Sequence, residues 1–519
     1  MSRPALVFIG FMGAGKSTAL AAAQRAGLET TEIDAVMEVE LGMKITEAFA
    51  RLGEEGFRAR EAEVVGSLLE RADGGAIALG GGSILSERIR AALERHVVVW
   101  LRVDAQESWR RIAHSDRPLA TNADDVARLM EVREPLYEEL ADAVIPVGDR
   151  AIVSRALPAL IALLDLPAET RMLWAASASG EYPVLVGPGL LDALVEPSSG
   201  SGWWPASGRR FGIADATTAS LYAERLRPLA AVSEIQPGEA SKTMAIAEGV
   251  LRELARAEMT KEDHVVALGG GVVGDLAGLC AHLYQRGVPV VQVPTTLVAQ
   301  VDSAYGGKTG VDLPEGKNYA GAYHLPAAVI SDTATLATLP SEELAAGFVE
   351  VLKTGLLAGG ALWERVRGLD SLGDSAALAD VVFACARFKC EIVAADERDG
   401  GLRHMLNFGH TVGHAIEAAT GYQRFRHGEA VGLGLLAALR LSDADELRAE
   451  VERSLLSHRL PVRLDQAVPI DAVLDALQRD KKRTAAGVGF VLLAEPGEPR
   501  VGQLVDPARV RGAVEELIG

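Results

Sequence analysis

The stretch ALVFIGFMGAGKST, residues 5–18, decides the fold at the start of the chain. An apolar run typical of a buried strand leads directly into GFMGAGKS, which satisfies the pattern G-x-x-x-x-G-K-[ST]. In this pattern the glycines let backbone N–H groups turn toward phosphate oxygens, the lysine contacts the outer phosphates and the hydroxyl holds Mg²⁺. The sequence therefore predicts a strand, a P-loop for ATP or GTP with Ser17 on the magnesium ion, and a helix. The loop residues are Gly13, Ala14, Gly15, Lys16, Ser17 and Thr18.

Short apolar runs alternate with amphipathic helical sequence on both sides of a break near residue 165. Before the break, strands are predicted at ALVFIG (5–10), GAIALGGG (75–82) and HVVVWLRV (96–103). After it, they are predicted at YPVLVG (182–187), RRFGIAD (209–215), HVVALGGG (264–271), GVPVVQVP (287–294) and AAVISD (327–332). Beyond LPSEEL (339–344) helical sequence takes over until two late apolar runs, VGFVLLA and GQLV. This pattern predicts an α/β protein with parallel strands and a helical last part.

The bulk composition restricts the kinds of partner. A formal net charge of −19 over 519 residues argues against nucleic acid or an anionic membrane as a partner. Three cysteines provide no disulfide framework, and no apolar run has membrane-spanning length. The predicted strand ALVFIG begins at residue 5, so we expect no targeting peptide. These observations predict a cytoplasmic protein whose anionic substrates are held by local basic clusters.

Several charged residues accompany the P-loop at ordered intervals. TEIDAVME contains Glu32 and Asp34, GEEGFRAREAE contains Arg58, and ALGGGSIL contains Gly80 to Gly82. SDRPLA and REPLYEELAD add Arg117 and Arg133. Together with the P-loop, this set resembles the shikimate kinase family over residues 1–165.

The resemblance implies specific roles for these residues. Asp34 is expected to accept a hydrogen bond from the shikimate hydroxyl that attacks ATP, and Arg58 and Arg133 to bind the carboxylate with their planar guanidinium groups. Gly80 and Gly81 are expected to offer backbone N–H groups to shikimate, and Arg117 to neutralise the transferring phosphoryl group from a lid. Glu32 departs from the family, which usually has Asp there, near the Mg²⁺ shell; activity is expected to survive this change.

A second glycine-rich turn lies in HVVALGGGVVGDLAG (264–278), which contains G-x-G-x-x-G between a strand and a helix. The acidic residue that a standard dinucleotide fold carries about twenty positions later is not evident, so this pattern alone decides little. The following stretch, however, places Arg286, Lys308 and Lys317 among glycines in an acidic protein. Such cations indicate an anionic small molecule held by charge and backbone together.

Three of the ten histidines, His410, His414 and His427, fall within LNFGHTVGHAIEAATGYQRFRHGEAVG (406–432). His410 and His414 have the spacing that places two side chains on one helical face. Two imidazoles and one carboxylate would suit a catalytic zinc ion with an open position. Position 411 is Thr, so the stretch does not form HExxH and does not indicate a metalloprotease.

Residues 179–519 resemble the 3-dehydroquinate synthase family. The resemblance rests on GEASK, ALGGGVVGDLAG, VPTTLVAQVDSAYGGKTGVD, GKN, TLPSEELAAGFVEVLK, ERDGGLRHMLNFGHTVGHAIE and RHGEAV. It implies that zinc or cobalt is bound by Glu350, His410 and His427, whereas His414 faces the substrate phosphate or relays a proton. Implied NAD contacts are Asp215, Glu239, Lys242, Gly270, Gly271, Val272, Asp275, Thr295, Thr296, Lys317, Asn318, Thr335 and Thr338.

The implied substrate of this part is 3-deoxy-D-arabino-heptulosonate 7-phosphate, which loses phosphate to give 3-dehydroquinate. Its expected contacts are Arg286, Asp302, Lys308, Lys353, Lys389, Asp399, Arg403, Asn407, His414 and either Lys481 or Lys482. Asp399 stands where the family more often has Glu, and the shorter side chain could loosen one substrate contact. The residues expected to take part in catalysis are Lys16, Asp34 and Arg117 in the kinase, and Arg286, Lys308, Lys353, Asn407 and His414 in the synthase.

The two resemblances imply an α/β kinase domain with a parallel sheet (1–165), a linker (166–178), a Rossmann-like NAD-binding domain (179–338) and a mainly α-helical metal-binding domain (339–519). They imply small-molecule substrates, ATP with Mg²⁺, and a homodimer formed through the synthase half. Three alternatives stay open. Relatives of this synthase close other sugar phosphates, the kinase part could serve only as a nucleotide-binding regulator, or it could have another kinase specificity, such as that of a sugar-acid kinase. The shikimate-kinase-like part favours the dehydroquinate reaction, and the complete set of kinase residues disfavours a regulator.

Overall fold

The computed structural model describes residues 3–113, 122–149, 151–194, 203–465, 467–479, 483–484 and 487–518. The chain forms two compact units, one mainly Met1–Ala175 and the other mainly Ala206–Gly519. Among the described helices, none combines the length and the apolarity needed to cross a lipid bilayer.

The first unit has parallel strands connected by helices. Its strands are β1 (Leu6–Ile9), β2 (Thr30–Glu32), β3 (Ala76–Ala78), β4 (Val97–Arg102), β5 (Ala143–Pro146) and β6 (Arg171–Ser177). Its helices are α1 (Lys16–Arg25), α2 (Ile33–Leu41), α3 (Ile45–Arg71, kinked at Gly53), α4 (Glu87–Leu93), α5 (Ala105–Ile112), α6 (Ala123–Leu140) and α7 (Ile152–Leu163). The strand order is β2-β3-β1-β4-β5-β6. Because β1 is central, with Leu6 paired to both Ala76 and Val97, the P-loop leaves the sheet in its middle.

The predicted strands at 5–10, 75–82 and 96–103 are confirmed as β1, β3 and β4. The segment 166–178, predicted as a linker, contains β6, whose Met172, Leu173, Trp174 and Ala175 are buried. The prolines and small residues around this short apolar run masked its strand character in the sequence.

The second unit begins as a parallel α/β structure. Its strands are β7 (Gly180–Gly187), β8 (Arg210–Asp215), β9 (Ala231–Ile235), β10 (His264–Gly269), β11 (Val290–Pro294), β12 (Lys308–Leu313), β13 (Gly316–Tyr323) and β14 (Ala328–Asp332). Its first helices are α8 (Leu190–Ala193), α9 (Ala216–Tyr222), α10 (Met244–Arg256) and α11 (Gly271–Leu283). Strands pair in the order β14-β11-β10-β8-β9, whereas β12 and β13 form a separate antiparallel hairpin. The five strands predicted after the break are confirmed; the hairpin and β9 were not predicted.

The rest of this unit is mainly helical, as predicted. Its helices are α12 (Ser341–Ala358), α13 (Gly360–Arg367), α14 (Ser375–Ala395), α15 (His410–Ala419), α16 (His427–Leu441), α17 (Asp445–Ser457), α18 (Ile470–Arg479) and α19 (Pro507–Glu515). Three short strands form a small sheet: β15 (Arg483–Thr484), β16 (Gly487–Leu493) and β17 (Pro499–Leu504).

Glycines let α12, α15 and α16 approach one another closely. A Cβ atom on Gly428 would lie 1.9 Å from the carbonyl oxygen of Ala346, and one on Gly434 would lie 2.0 Å from that of Gly409. No side chain fits at such distances, so both crossings require glycine. These crossings bring the middle of α12 to the first residues of α15 and α16.

Candidate active sites

The lysine of the P-loop forms hydrogen bonds with the backbone of the loop itself. Gly13 and Gly15 have positive φ values of 77° and 88°, and α1 begins at Lys16. The Lys16 Nζ atom donates hydrogen bonds to the carbonyl oxygens of Gly10 (2.8 Å) and Phe11 (3.1 Å). Ser17 Oγ donates to Glu32 Oε1 at 2.5 Å. The longer carboxylate of Glu32 thus reaches the hydroxyl expected to hold Mg²⁺ directly.

Helix α5 supports the P-loop from the side. Ser108 Oγ donates to the carbonyl oxygen of Met12 at 2.8 Å. Arg111 donates to the carbonyl oxygens of Gly13 (3.0 Å) and Val147 (2.8 Å). Arg111 was not singled out in the sequence, where its one signal was a Glu107–Arg111 pair at helical spacing. Such pairs are common on solvated helix faces.

The predicted acceptor residues meet at the turn after β3. Arg133 Nη1 donates to the carbonyl oxygen of Gly81 at 3.3 Å. A Cβ atom on Gly82 would lie 2.2 Å from Arg58 Nη2, and one on Gly80 would lie 3.4 Å from Asp34 Oδ1. The turn therefore touches both predicted carboxylate-binding arginines and lies against the predicted base. Arg117 lies outside the described residues.

Glu61 holds one of these arginines in place. Its Oε2 accepts from Arg58 Nη1 at 2.5 Å, and its Oε1 accepts from Ser83 Oγ at 2.6 Å. Glu61 is buried, and its carboxylate fixes Arg58 to the same turn.

In the second unit, Glu350 on α12 meets the first residues of α15 and α16. Glu350 Oε1 lies 3.5 Å from His410 Nε2 and 3.4 Å from His427 Nε2. The three potential ligand atoms lie within 4.8 Å of one another. Glu350 is only 1% exposed. Glu350 precedes His410 by sixty residues in the sequence and lies on a different helix.

The chemistry of this cluster fits a divalent metal. Both Glu350 oxygens are shielded from solvent and accept no hydrogen bond of good geometry from the described residues. Burial raises the pKa of Glu350, but Lys353, His410 and His427 outweigh burial and hold the pKa well below its usual range. Lys353 Nζ lies 2.5 Å from Oε2. An ionised carboxylate facing two imidazole Nε2 atoms is a set that zinc or cobalt accepts.

His414 stands beside this cluster. Its ring centroid lies 5.2 Å from that of His410 and 5.9 Å from that of His427. His414, Glu417 and His427 form a second group whose potential ligand atoms lie within 4.8 Å of one another. Helical spacing thus placed His410 and His414 together, but Glu350 lies against His410 and His427.

Several predicted substrate-binding cations have partners of their own. Lys389 Nζ lies 2.6 Å from Asp302 Oδ1, and Lys308 Nζ lies 2.5 Å from Asp399 Oδ2. Burial raises the pKa of Asp302, but Lys389 and Lys353 outweigh it and lower the pKa to about 2. Arg403 Nη1 donates to the carbonyl oxygen of Glu397 at 2.7 Å and is buried. Two of these predicted substrate contacts are thus lysines paired with aspartates, and the third is a buried arginine bonded to a backbone carbonyl.

Not every predicted substrate residue joins them. Asn407 Nδ2 donates to the carbonyl oxygen of His404 at 3.1 Å. Arg286 is exposed in a turn beyond the C-terminal end of α11, with positive φ. Among the described residues, none has a hydrogen bond or ion pair with Arg286 that would tie it to the cluster. Lys481 and Lys482 lie outside the described residues.

Several of the predicted NAD residues lie at the carboxyl ends of β8, β10 and β11. Gly270 precedes α11, which begins with Gly271 and Val272, and Thr295 N donates to the carbonyl oxygen of Gly269 at 3.0 Å. A Cβ atom on Gly270 would lie 2.9 Å from Thr296 Cγ2, so the turn depends on glycine. Asp215 caps α9 at the end of β8. A helix N-terminus at this edge of a parallel sheet fits a dinucleotide phosphate.

The remaining predicted NAD residues form paired contacts. Lys242 Nζ lies 2.6 Å from Asp275 Oδ2, and Lys317 Nζ lies 3.5 Å from Glu239 Oε1. Asn318 N donates to Asp312 Oδ1 at 2.8 Å. Further hydrogen bonds join Thr335 and Thr338 to Tyr222. Tyr222 was not predicted as an NAD contact.

Comparison with known proteins shows the family of each part of the chain. Residues 232–346 match the sequence model of the 3-dehydroquinate synthase N-terminal domain, and residues 347–483 match that of its C-terminal domain. The 3-dehydroquinate synthase of Symbiobacterium thermophilum is 43% identical over 357 residues, covering 65% of this chain and 98% of the relative. The chain belongs to the 3-dehydroquinate synthase family. The synthase of Halorhodospira halophila is 42% identical over 359 residues, covering 67% of this chain and all of the relative.

A solved structure matches the synthase part. The 2-epi-5-epi-valiolone synthase ValA from Streptomyces hygroscopicus subsp. jinggangensis, with NAD⁺ and Zn²⁺ bound, is 28% identical with a TM-score of 0.59. The match covers 66% of this chain and 98% of that chain.

Residues 12–160, which precede the synthase part, match the sequence model of shikimate kinase. The chain thus has a shikimate kinase and a 3-dehydroquinate synthase and is a bifunctional enzyme of the shikimate pathway, a kinase and a lyase that act on small molecules.

Proposed function

We propose that residues 1–165 transfer phosphate from ATP to shikimate, and that residues 179–519 convert 3-deoxy-D-arabino-heptulosonate 7-phosphate to 3-dehydroquinate and phosphate. Residues 166–178 connect the two parts, and residue 338 separates the NAD-binding domain from the helical domain. The observation that carries the synthase proposal is the Glu350, His410 and His427 cluster, with buried cations beside it. The glycine-lined turn that touches Arg58 and Arg133 supports the kinase proposal.

In the kinase, each residue acts on one part of the transfer. Lys16 would leave its carbonyl partners for the outer phosphates of ATP, while Ser17 and Glu32 order the Mg²⁺ ion. Asp34 would accept the proton of the attacking shikimate hydroxyl. The carboxylate of shikimate would lie between Arg58 and Arg133 at the Gly80–Gly81 turn. Arg117 would neutralise charge on the transferring group.

In the synthase, Glu350, His410 and His427 would hold zinc or cobalt. NAD would lie at the start of α11, in contact with the thirteen residues assigned to it. When bound, NAD would supply reversible hydride transfer at the substrate C5 carbon, and the metal would polarise the oxygen there. Support for the metal comes from the paired Nε2 atoms that face one buried carboxylate.

The chain's own side chains would handle charge and protons. Lys308, Lys353, Lys389 and Arg403 would bind the phosphate and carboxylate of the substrate. Arg286 stays a predicted contact, although it lies on an exposed turn after α11. Asp302, Asp399, Asn407 and one lysine of the 481–482 pair would orient its hydroxyl groups. His414, next to both histidine ligands, would carry a proton to or from the departing phosphate.

The buried Lys389–Asp302 pair gives a testable expectation. Lys389→Met should raise the KM for the heptulosonate phosphate at least about tenfold, because a hydrogen bond to a charged group is lost. It should also lower the free energy of unfolding by about 3 kcal/mol, since Asp302 is left without its partner. Steady-state kinetics and urea unfolding of the full chain measure the two effects.

A double variant separates these effects. Lys389→Met with Asp302→Asn removes both charges and should recover most of the lost stability without recovering the KM. A double variant no more stable than Lys389→Met would show that the unpaired carboxylate is not the cause.

The assembly and location are also proposals. We infer a homodimer formed through the synthase half and a cytoplasmic location, with no nucleic acid or membrane partner, in keeping with the net charge of −19. Sedimentation equilibrium of the full chain and of a chain starting at residue 179 would test the dimer; a monomeric full chain would refute it.

Assaying both reactions on one purified sample tests the proposed function. Shikimate phosphorylation with ATP and Mg²⁺ should be unaffected by removing zinc with a transition-metal chelator. Phosphate release from the heptulosonate substrate should cease and return on adding zinc in the presence of NAD⁺. The synthase assignment fails if no phosphate is released with both supplied.

A further inference from the structure

Glu417 has no role in the reactions proposed above, although it lies between a proposed metal ligand, His427, and a proposed NAD contact, Lys317. It is on α15, two turns after His410, and is 2% exposed. Its Oε2 lies 3.5 Å from His427 Nδ1, and its Oε1 accepts a hydrogen bond from Lys317 Nζ at 3.3 Å. Oε2 is shielded from solvent and accepts no hydrogen bond from the described residues. A buried carboxylate in this position requires an explanation.

The two histidines of the metal cluster are oriented differently. Both present Nε2 to Glu350, so each must be held through Nδ1. His410 Nδ1 lies 3.1 Å from the carbonyl oxygen of Phe408, two residues away on its own chain segment. His427 Nδ1 instead faces the carboxylate of Glu417 on another helix. A carboxylate at this nitrogen fixes the ring and makes the imidazole a stronger ligand.

Lys317 connects the same carboxylate to the nucleotide-binding part. It lies on β13 next to Asn318, and its Nζ is also 3.5 Å from Glu239 Oε1 and 4.7 Å from the centre of the Tyr422 ring. Lys317, Asn318 and Glu239 are all proposed NAD contacts. Glu417 is thus the described side chain that touches both a proposed metal ligand and a proposed NAD contact.

We propose that Glu417 is a positioning residue that holds His427 through Nδ1 and Lys317 through Nζ, and thereby couples metal binding to NAD binding. Ordering Lys317 on NAD would fix Glu417, and Glu417 would then fix His427 for the metal. The coupling is reciprocal, so bound metal would strengthen NAD binding by the same factor. This inference rests on the proposed metal and NAD sites.

His414, Glu417 and His427 offer a different interpretation, a second metal site that shares His427. The ammonium group of Lys317 beside Glu417 opposes it, because a second cation would be repelled there. The number of zinc ions per chain distinguishes the two.

The test is the zinc dissociation constant of the full-length, chelator-stripped chain, measured by competition with a chromophoric chelator, with and without saturating NAD⁺. In the unaltered chain, NAD⁺ should tighten zinc binding about tenfold, within the usual range of coupling between sites. Glu417→Gln, which keeps the shape, should weaken zinc binding by about 10–100-fold and abolish the NAD⁺ effect. Lys317→Met should lose the NAD⁺ effect on zinc binding.

Glu446→Gln, the same change at an exposed glutamate of α17, is the matched control and should behave as the unaltered chain. Circular dichroism verifies that each variant is folded. Glu417→Gln with unaltered zinc affinity would overturn the proposal, and so would an intact NAD⁺ effect in that variant or two zinc ions in the unaltered chain. An unaltered chain that binds no zinc would instead refute the proposed metal site.

Discussion

Lys16→Ala is expected to lower the rate of shikimate phosphorylation by at least about 10²–10³-fold, the usual cost of removing one group that stabilises developing charge. Lys16 Nζ is the cation of the P-loop and is held by the carbonyl oxygens of Gly10 and Phe11, ready to reach the outer phosphates. Phosphate release from the heptulosonate substrate should stay within about twofold, since that site uses other residues. A coupled assay for ADP and a phosphate assay measure the two rates on one sample.

Lys44→Ala is the matched control for this variant. Lys44 is an exposed lysine of the same unit that pairs with Glu38. The Lys44→Ala variant should leave both reactions unchanged. Equal loss of both activities in folded Lys16→Ala protein would contradict the assignment of the P-loop to the kinase alone.

His410→Ala should have the reverse effect. Removing one of the three proposed ligands leaves Glu350 and His427. The synthase reaction should slow by about two to three orders of magnitude, because several kcal/mol of metal-derived stabilisation would be lost. The zinc content after dialysis should fall in parallel, whereas shikimate phosphorylation should persist. Metal analysis and the phosphate assay together measure the effect.

His282→Ala, at an exposed position on α11, supplies the corresponding control and should retain zinc. A His410→Ala chain with a full complement of zinc and normal phosphate release would remove His410 from the ligand set.

The sequence predicted most of the parallel strands because each is a short apolar run bounded by glycine or polar residues, as in β1, β10 and β14. It did not predict the β12–β13 hairpin. That segment alternates glycine, lysine and small residues, and its pairing depends on glycines at 310 and 321 that face each other across the strands. Its burial is uneven, so periodicity was a poor guide.

The sites differ in how much the sequence revealed. Motifs and family resemblance named Glu350, His410 and His427, which the structure brings together across three helices. Arg111 and Glu417 were not named, because each is a single charged residue on a helix and its importance lies in a contact with a distant segment. Only tertiary structure shows that Arg111 meets the P-loop or that Glu417 meets Lys317.

The two glycines at the helix crossings have a consequence for mutational tolerance. Gly428 and Gly434 carry no functional group, yet even alanine at either position would push the helices that bear Glu350, His410 and His427 apart. A saturation screen for growth without aromatic amino acids should therefore find these positions as intolerant as the ligands themselves. Residues that such a screen marks as essential to the synthase would then include some that never contact a substrate, a metal or a nucleotide.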